Sequence, residues 1–85
     1  MNHLLKLGLK TQSTSIIGKY LNGLTSANEL FQSAFNYCVE NDKARALKYI
    51  LQNHKNATFE WLTADNLSLL NSICDLDKDF NQYLP

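Results

Sequence analysis

The side chains best suited to nucleophilic or metal chemistry in this chain are two cysteines and two histidines, Cys38, Cys74, His3 and His54. A structural zinc site needs four such ligands at close spacing, and these four are scattered, with both cysteines on apolar stripes. Nucleophilic catalysis would have to pair Cys38 or Cys74 with His54 as base, and nothing in the local pattern lowers a thiol pKa. The run Asp75-Leu76-Asp77-Lys78-Asp79 opens like a calcium-binding loop, but Phe80 occupies the sixth position, where that loop needs glycine. Neither a glycine-rich phosphate loop nor an HExxH or GxSxG motif is present. The expectation is a protein with no catalytic residue, no metal ligand and no cofactor: not an enzyme.

Composition narrows the partners. With 85 residues the chain makes one small domain, and its eight basic and eight acidic side chains cancel. That balance argues against nucleic acid, which calls for a basic excess on one face. No apolar run reaches the length of a membrane-spanning helix, and Lys6 and Lys10 interrupt the place of a secretory signal. The expected location is intracellular, in the cytoplasm. Charge is nevertheless uneven. Residues 1–28 contain Lys6, Lys10 and Lys19 and no acid, whereas residues 29–85 hold all eight acids against five bases. An acid-free, hydroxyl-rich leader is also how a mitochondrial import segment is composed, which keeps a mitochondrial subunit as an alternative.

The elements that would carry these side chains are helical. The alternation Leu5, Leu7, Leu9 could be a strand, but no second strand candidate exists to pair with it, so a first helix from about Asn2 is expected. Any hydroxyl of the run Thr11 to Ser15 could cap a second helix carrying Ile16, Ile17, Tyr20, Leu21 and Leu24, with Gly23 placed to stop it. Ser26-Ala27-Asn28-Glu29 has the form of a capping box, and Ala27, Leu30, Phe31, Ala34, Phe35 and Cys38 follow at helical spacing. Asn41-Asp42 marks a turn, with Asp42 available to cap a helix bearing Ala44, Leu47, Ile50 and Leu51. After a Thr63 or Asp65 cap, Leu67, Leu70, Ile73 and Cys74 form another stripe, Asp75-Leu76-Asp77 reads as a turn, and Lys78 to Leu84 as a last short helix. The predicted fold is all-α, a small bundle of four to five short helices, with residues 1–25 a basic N-terminal arm or helix and 26–85 the helical domain.

A shift of 36 positions superposes the apolar pattern of two helix–turn–helix hairpins, Cys38 falling on Cys74, Ala34 on Leu70 and Leu47 on Tyr83. The pair then reads as a stacked, degenerate helical repeat. Within residues 28–53, Leu30, Ala34 and Tyr37, the Asn41-Asp42 turn, and then Ala46 and Ile50 stand where a tetratricopeptide hairpin has its large, small, aromatic, turn and packing positions. The segment resembles that family, and ankyrin repeats fit less well, lacking Thr-Pro-Leu-His. Such a resemblance implies a protein-binding surface.

The function expected from these readings is a non-enzymatic protein–protein interaction module: an adaptor, an inhibitor or a small accessory subunit. Its partner would be another protein or a second copy of itself. Besides the mitochondrial alternative, a homodimeric nucleic-acid-binding regulator acting through residues 42–54 would be a third class. The expected contact residues are Leu5, Leu7, Leu9, Ile16 and Ile17, whose stripe is the one a single core absorbs least well. Tyr49, Phe59 and Trp61 follow, because aromatics dominate interface energetics.

Overall fold

The computed structural model describes residues 1–76 and consists of five helices without a strand among those residues. The expected last helix, Lys78 to Leu84, lies outside them. Helix α1 spans His3–Thr11, α2 Thr14–Leu21, α3 Glu29–Glu40, α4 Ala44–Gln52 and α5 Ala64–Leu76. Three of the starts have a local cause. Asn2 Oδ1 accepts from the Leu4 and Leu5 amides at 2.7 and 3.3 Å, satisfying two of the free N–H groups of α1. Asn28 Oδ1 does the same for the Leu30 amide at 2.8 Å, and Thr63 Oγ1 for the Asn66 amide at 3.1 Å.

The capping box at Ser26 does not form, because Asn28 is the cap of α3. The Ser26 hydroxyl turns instead to the Thr58 amide, 3.1 Å away, and ties the loop before α3 to the one after α4. Nor does a hydroxyl cap α2: Ser13 holds the cap position with no side-chain bond. The turn expected at Asp75-Leu76-Asp77 is also corrected, since α5 continues through Leu76.

The helices pack in two rows. In one row α3 lies against both α1 and α5; in the other α2 lies against α4; and each hairpin closes on itself, α1 on α2 and α3 on α4. The two hairpins share one register, offset by thirty residues. Gln12 and Asp42 both adopt left-handed φ values, 57° and 55°. Behind them the Ser13 amide donates to Gly8 O and the Lys43 amide to Cys38 O, both at 2.8 Å. These are the six-residue bonds of two equivalent Schellman turns. The offset also maps buried residues onto buried residues: Leu5 on Phe35, Gly8 on Cys38, Leu9 on Val39, Ile17 on Leu47 and Leu21 on Leu51.

The described residues thus hold a thirty-residue repeat; of the 36-residue shift only the α3–α5 half falls within them, the pairing of Leu47 with Tyr83 lying outside. The stacked hairpins are α1–α2 and α3–α4, and α5 continues the first row. Aligning the caps Asn28 and Thr63 places Phe35 on Leu70, Cys38 on Ile73 and Val39 on Cys74, all buried. That is one residue away from the register in which the two cysteines coincide. In the cap-aligned register Phe31 meets Asn66, which is buried, while Leu67 is turned out to solvent. Asn66 can occupy an apolar slot because its Nδ2 donates to Asn36 Oδ1 on α3 at 2.9 Å, so the amide is not left unpaired.

Candidate interaction surface

The residues expected at the surface of the first segment divide into two sets. Leu5, Leu9 and Ile17 are fully buried in the same core as Phe31, Phe35, Leu47 and Ile50. The stripe is absorbed after all, because α3 and α4 supply the opposing faces about thirty residues downstream. Ile16 is half-buried and seated on α1, where a methyl group built on Gly8 would come within 2.5 Å of its Cγ2. Leu7 is the one of the five left exposed, at 51% of its free surface, with Leu4 on the same helix at 42% and Met1, just ahead of the Asn2 cap, at 52%. Leu4 and Leu7 stand three residues apart, so they form a short apolar stripe on the side of α1 away from Leu5 and Leu9. Lys6 and Lys10 on the same helix are exposed.

The aromatic candidates lean inward. Phe59 and Trp61 are half-buried on α3, Phe59 at 5.0 Å from the Phe35 ring and Trp61 edge-on to Phe31 and Phe35 at 6.2 and 5.5 Å. The Trp61 indole N–H is already donated to Thr58 O at 3.0 Å. Tyr49 is half-buried, and its hydroxyl lies over Gly18 and accepts from Asn22 Nδ2 at 3.1 Å. These contacts fasten loops and helices to one another, and they leave each ring only partly available to a partner.

His54 is committed to the main chain. Its Nδ1 lies 2.7 Å from Ile50 O and its Nε2 2.9 Å from Leu21 O, across the two hairpins, with the Phe31 ring 4.7 Å from its own. Both nitrogens that could hold a metal or take a proton from a thiol are engaged. Cys38 is fully enclosed, and burial pushes its thiol up to about 12, the opposite of an activated nucleophile. Among the described residues no three histidine, cysteine or acidic side chains converge on a point where a metal could sit. No described helix is long and apolar enough to cross a membrane.

Among the hollows of the described surface, two bear on this reading. A cleft of about 290 Å³ opens between Gly23–Ser26 and Asn53–Ala57, where the loops following α2 and α4 meet beside His54. A groove of about 240 Å³ runs between the end of α3 and α5; Val39, Leu69 and Ile73 line it, with Glu40, Asp42 and Ser72 along its edge. Leu67 and Leu69 on α5 are exposed at 48 and 44%. Sequence periodicity missed Met1, Leu4 and Leu69 as surface candidates and put Leu67 in the core. The usable signal was Asn66, whose place on the buried face of α5 rotates both leucines outward.

Comparison with known proteins adds no relative: no protein-family model matches the chain, and neither a curated protein nor a solved structure does.

Proposed function

We propose that this chain is a non-enzymatic protein–protein interaction module, an adaptor, inhibitor or small accessory subunit, that meets its partner through the outer face of α1. The observation that carries this reading is the exposed stripe of Leu4 and Leu7, with Met1 exposed just ahead of it, on a helix whose opposite face is locked into the core by Leu5 and Leu9. A partner that covers the stripe removes apolar surface from water at about 25 cal/mol per Å². It also pays little ordering cost, because α1 is already held in place. Anchors at every third or fourth position on a rigid helix are the pattern by which helices seat in apolar grooves. The flanking Lys6 and Lys10 favour an acidic rim around such a groove.

The test is affinity capture from the host lysate with the wild-type chain and with a Leu4→Glu/Leu7→Glu variant that melts at the same temperature. A near-stoichiometric protein held by the first and lost from the second supports the reading. The same proteins held by both baits would overturn it.

A further inference from the structure

Resting on that reading, we infer that the partner which fits the α1 face is a second copy of this chain, docked head to tail with α1 in the groove between α3 and α5. The two surfaces complement each other in shape and charge. The face offers Leu4 and Leu7 with Lys6 and Lys10 on the same helix, in a stretch of 28 residues that contains no acid. The groove offers an apolar floor of Val39, Leu69 and Ile73 under the carboxylates of Glu40 and Asp42. At about 240 Å³ it is smaller than the roughly 300–1,000 Å³ of a small-molecule pocket and better matched to side-chain knobs from a helix.

The face and the groove cannot meet within one molecule. Helix α1 packs on α3 through Leu5 and Leu9, in the same core as Val39 and Ile73, so Leu4 and Leu7 on its opposite side face away from that core and from the groove. The contact is heterologous, because each copy contributes a different surface, and it leaves one free face and one free groove on every dimer.

The experiment is sedimentation velocity of the full chain over a concentration series at low and at high salt, with matched thermal melts as the folding control. The wild type is expected to self-associate reversibly, and less at high salt, where the lysine–carboxylate attraction is screened. Leu7→Glu and Leu69→Glu should each weaken association by about tenfold to a hundredfold, the loss expected when a buried leucine contact becomes a charge. Leu69→Ser gives the same test without the added charge. Mixing Leu7→Glu with Leu69→Glu should restore a one-to-one dimer, since the first keeps an intact groove and the second an intact face.

A wild type that stays monomeric throughout would overturn the inference, as would a mixture that stays monomeric when the wild type does not. Undiminished association of Leu69→Glu alone would overturn it in favour of a symmetric contact between two α1 faces. Failure here is distinguishable from failure of the interaction reading. A monomeric wild type that still captures a protein through Leu4 and Leu7 leaves that reading standing.

Discussion

Gln12 Oε1 accepts a hydrogen bond from the Ala46 amide at 3.1 Å, so the turn of the first hairpin caps the first turn of α4 in the second. Helix α4 needs that acceptor, because Lys43 stands at its cap position with no side-chain bond to offer. Asp42, the residue expected to cap α4, is instead the left-handed residue of the second Schellman turn. Gln12→Ala should therefore lower stability by about 0.5–2 kcal/mol, the usual cost of a lost N-cap. Gln12→Glu should retain the bond and add a favourable charge at a helix N-terminus. Urea denaturation of the three proteins decides it; a Gln12→Ala midpoint equal to wild type would rule the cap out.

Gly8 sets the distance between α1 and α2. A methyl group at this position would lie 2.5 Å from Ile16 Cγ2 and 2.8 Å from Ile16 Cβ. The second contact is to an atom bonded directly to the backbone, so no rotamer change relieves it. Gly8→Ala is thus expected to destabilise by about 1–3 kcal/mol through overpacking. This outweighs the roughly 1 kcal/mol that alanine otherwise adds within a helix. A thermal midpoint above wild type would mean that the two helices cross elsewhere.

Helices α2 to α5 were legible in the sequence because apolar residues recur with helical period in each, α1 only because no second strand could pair with it. Of the two caps offered for α5, Thr63 and Asp65, Thr63 is the one that forms. The N-terminal register was harder. Leu5, Leu7 and Leu9 fit a period of two as well as a helix, and only packing on α3 separates buried Leu5 and Leu9 from exposed Leu7. The cysteine identity attracted the repeat to 36, whereas the true register depends on a long-range amide pair, Asn66 with Asn36, that periodicity cannot report. The first hairpin carries no sequence mark of a repeat unit, because its left-handed turn residue is Gln12, where neither glycine nor asparagine signals the turn. Of the candidate surface, Leu7 was legible and the groove was not, since its lining comes from two helices about thirty residues apart.

Residues 1–25 supply four fully buried side chains, Leu5, Leu9, Ile17 and Leu21, to the core. Leu21 O is also one of the two carbonyls that hold His54. A chain containing only residues 26–85 would leave the facing surfaces of Phe35, Leu47 and Leu51 in water. In a domain this small, where the margin of stability is only a few kcal/mol, that loss exceeds what remains. The expected result is a fragment without a cooperative melt in far-UV circular dichroism. A sharp transition close to that of the whole chain would show that the second hairpin and α5 form a self-sufficient core.

Cys38 links stability to alkaline pH. Burial raises its thiol from 9.0 to about 12, with Lys43 opposing the shift slightly. The folded state thus keeps the proton at pH values where the unfolded chain has released it. Its contribution is fully present below about 9 and is lost as pH rises from 9 towards 12. Across that window stability should fall by up to about 1.4 kcal/mol per pH unit from this group alone. Cys38→Ala lowers stability below about pH 9 by opening a cavity, but its slope through the window should be shallower than that of wild type, so the two curves converge as pH rises. Groups common to both proteins cancel in the difference between the two slopes. Urea midpoints of the pair measured at several pH values within the window provide the check, and parallel slopes would show that the Cys38 thiol ionises as readily in the folded chain as in the unfolded one.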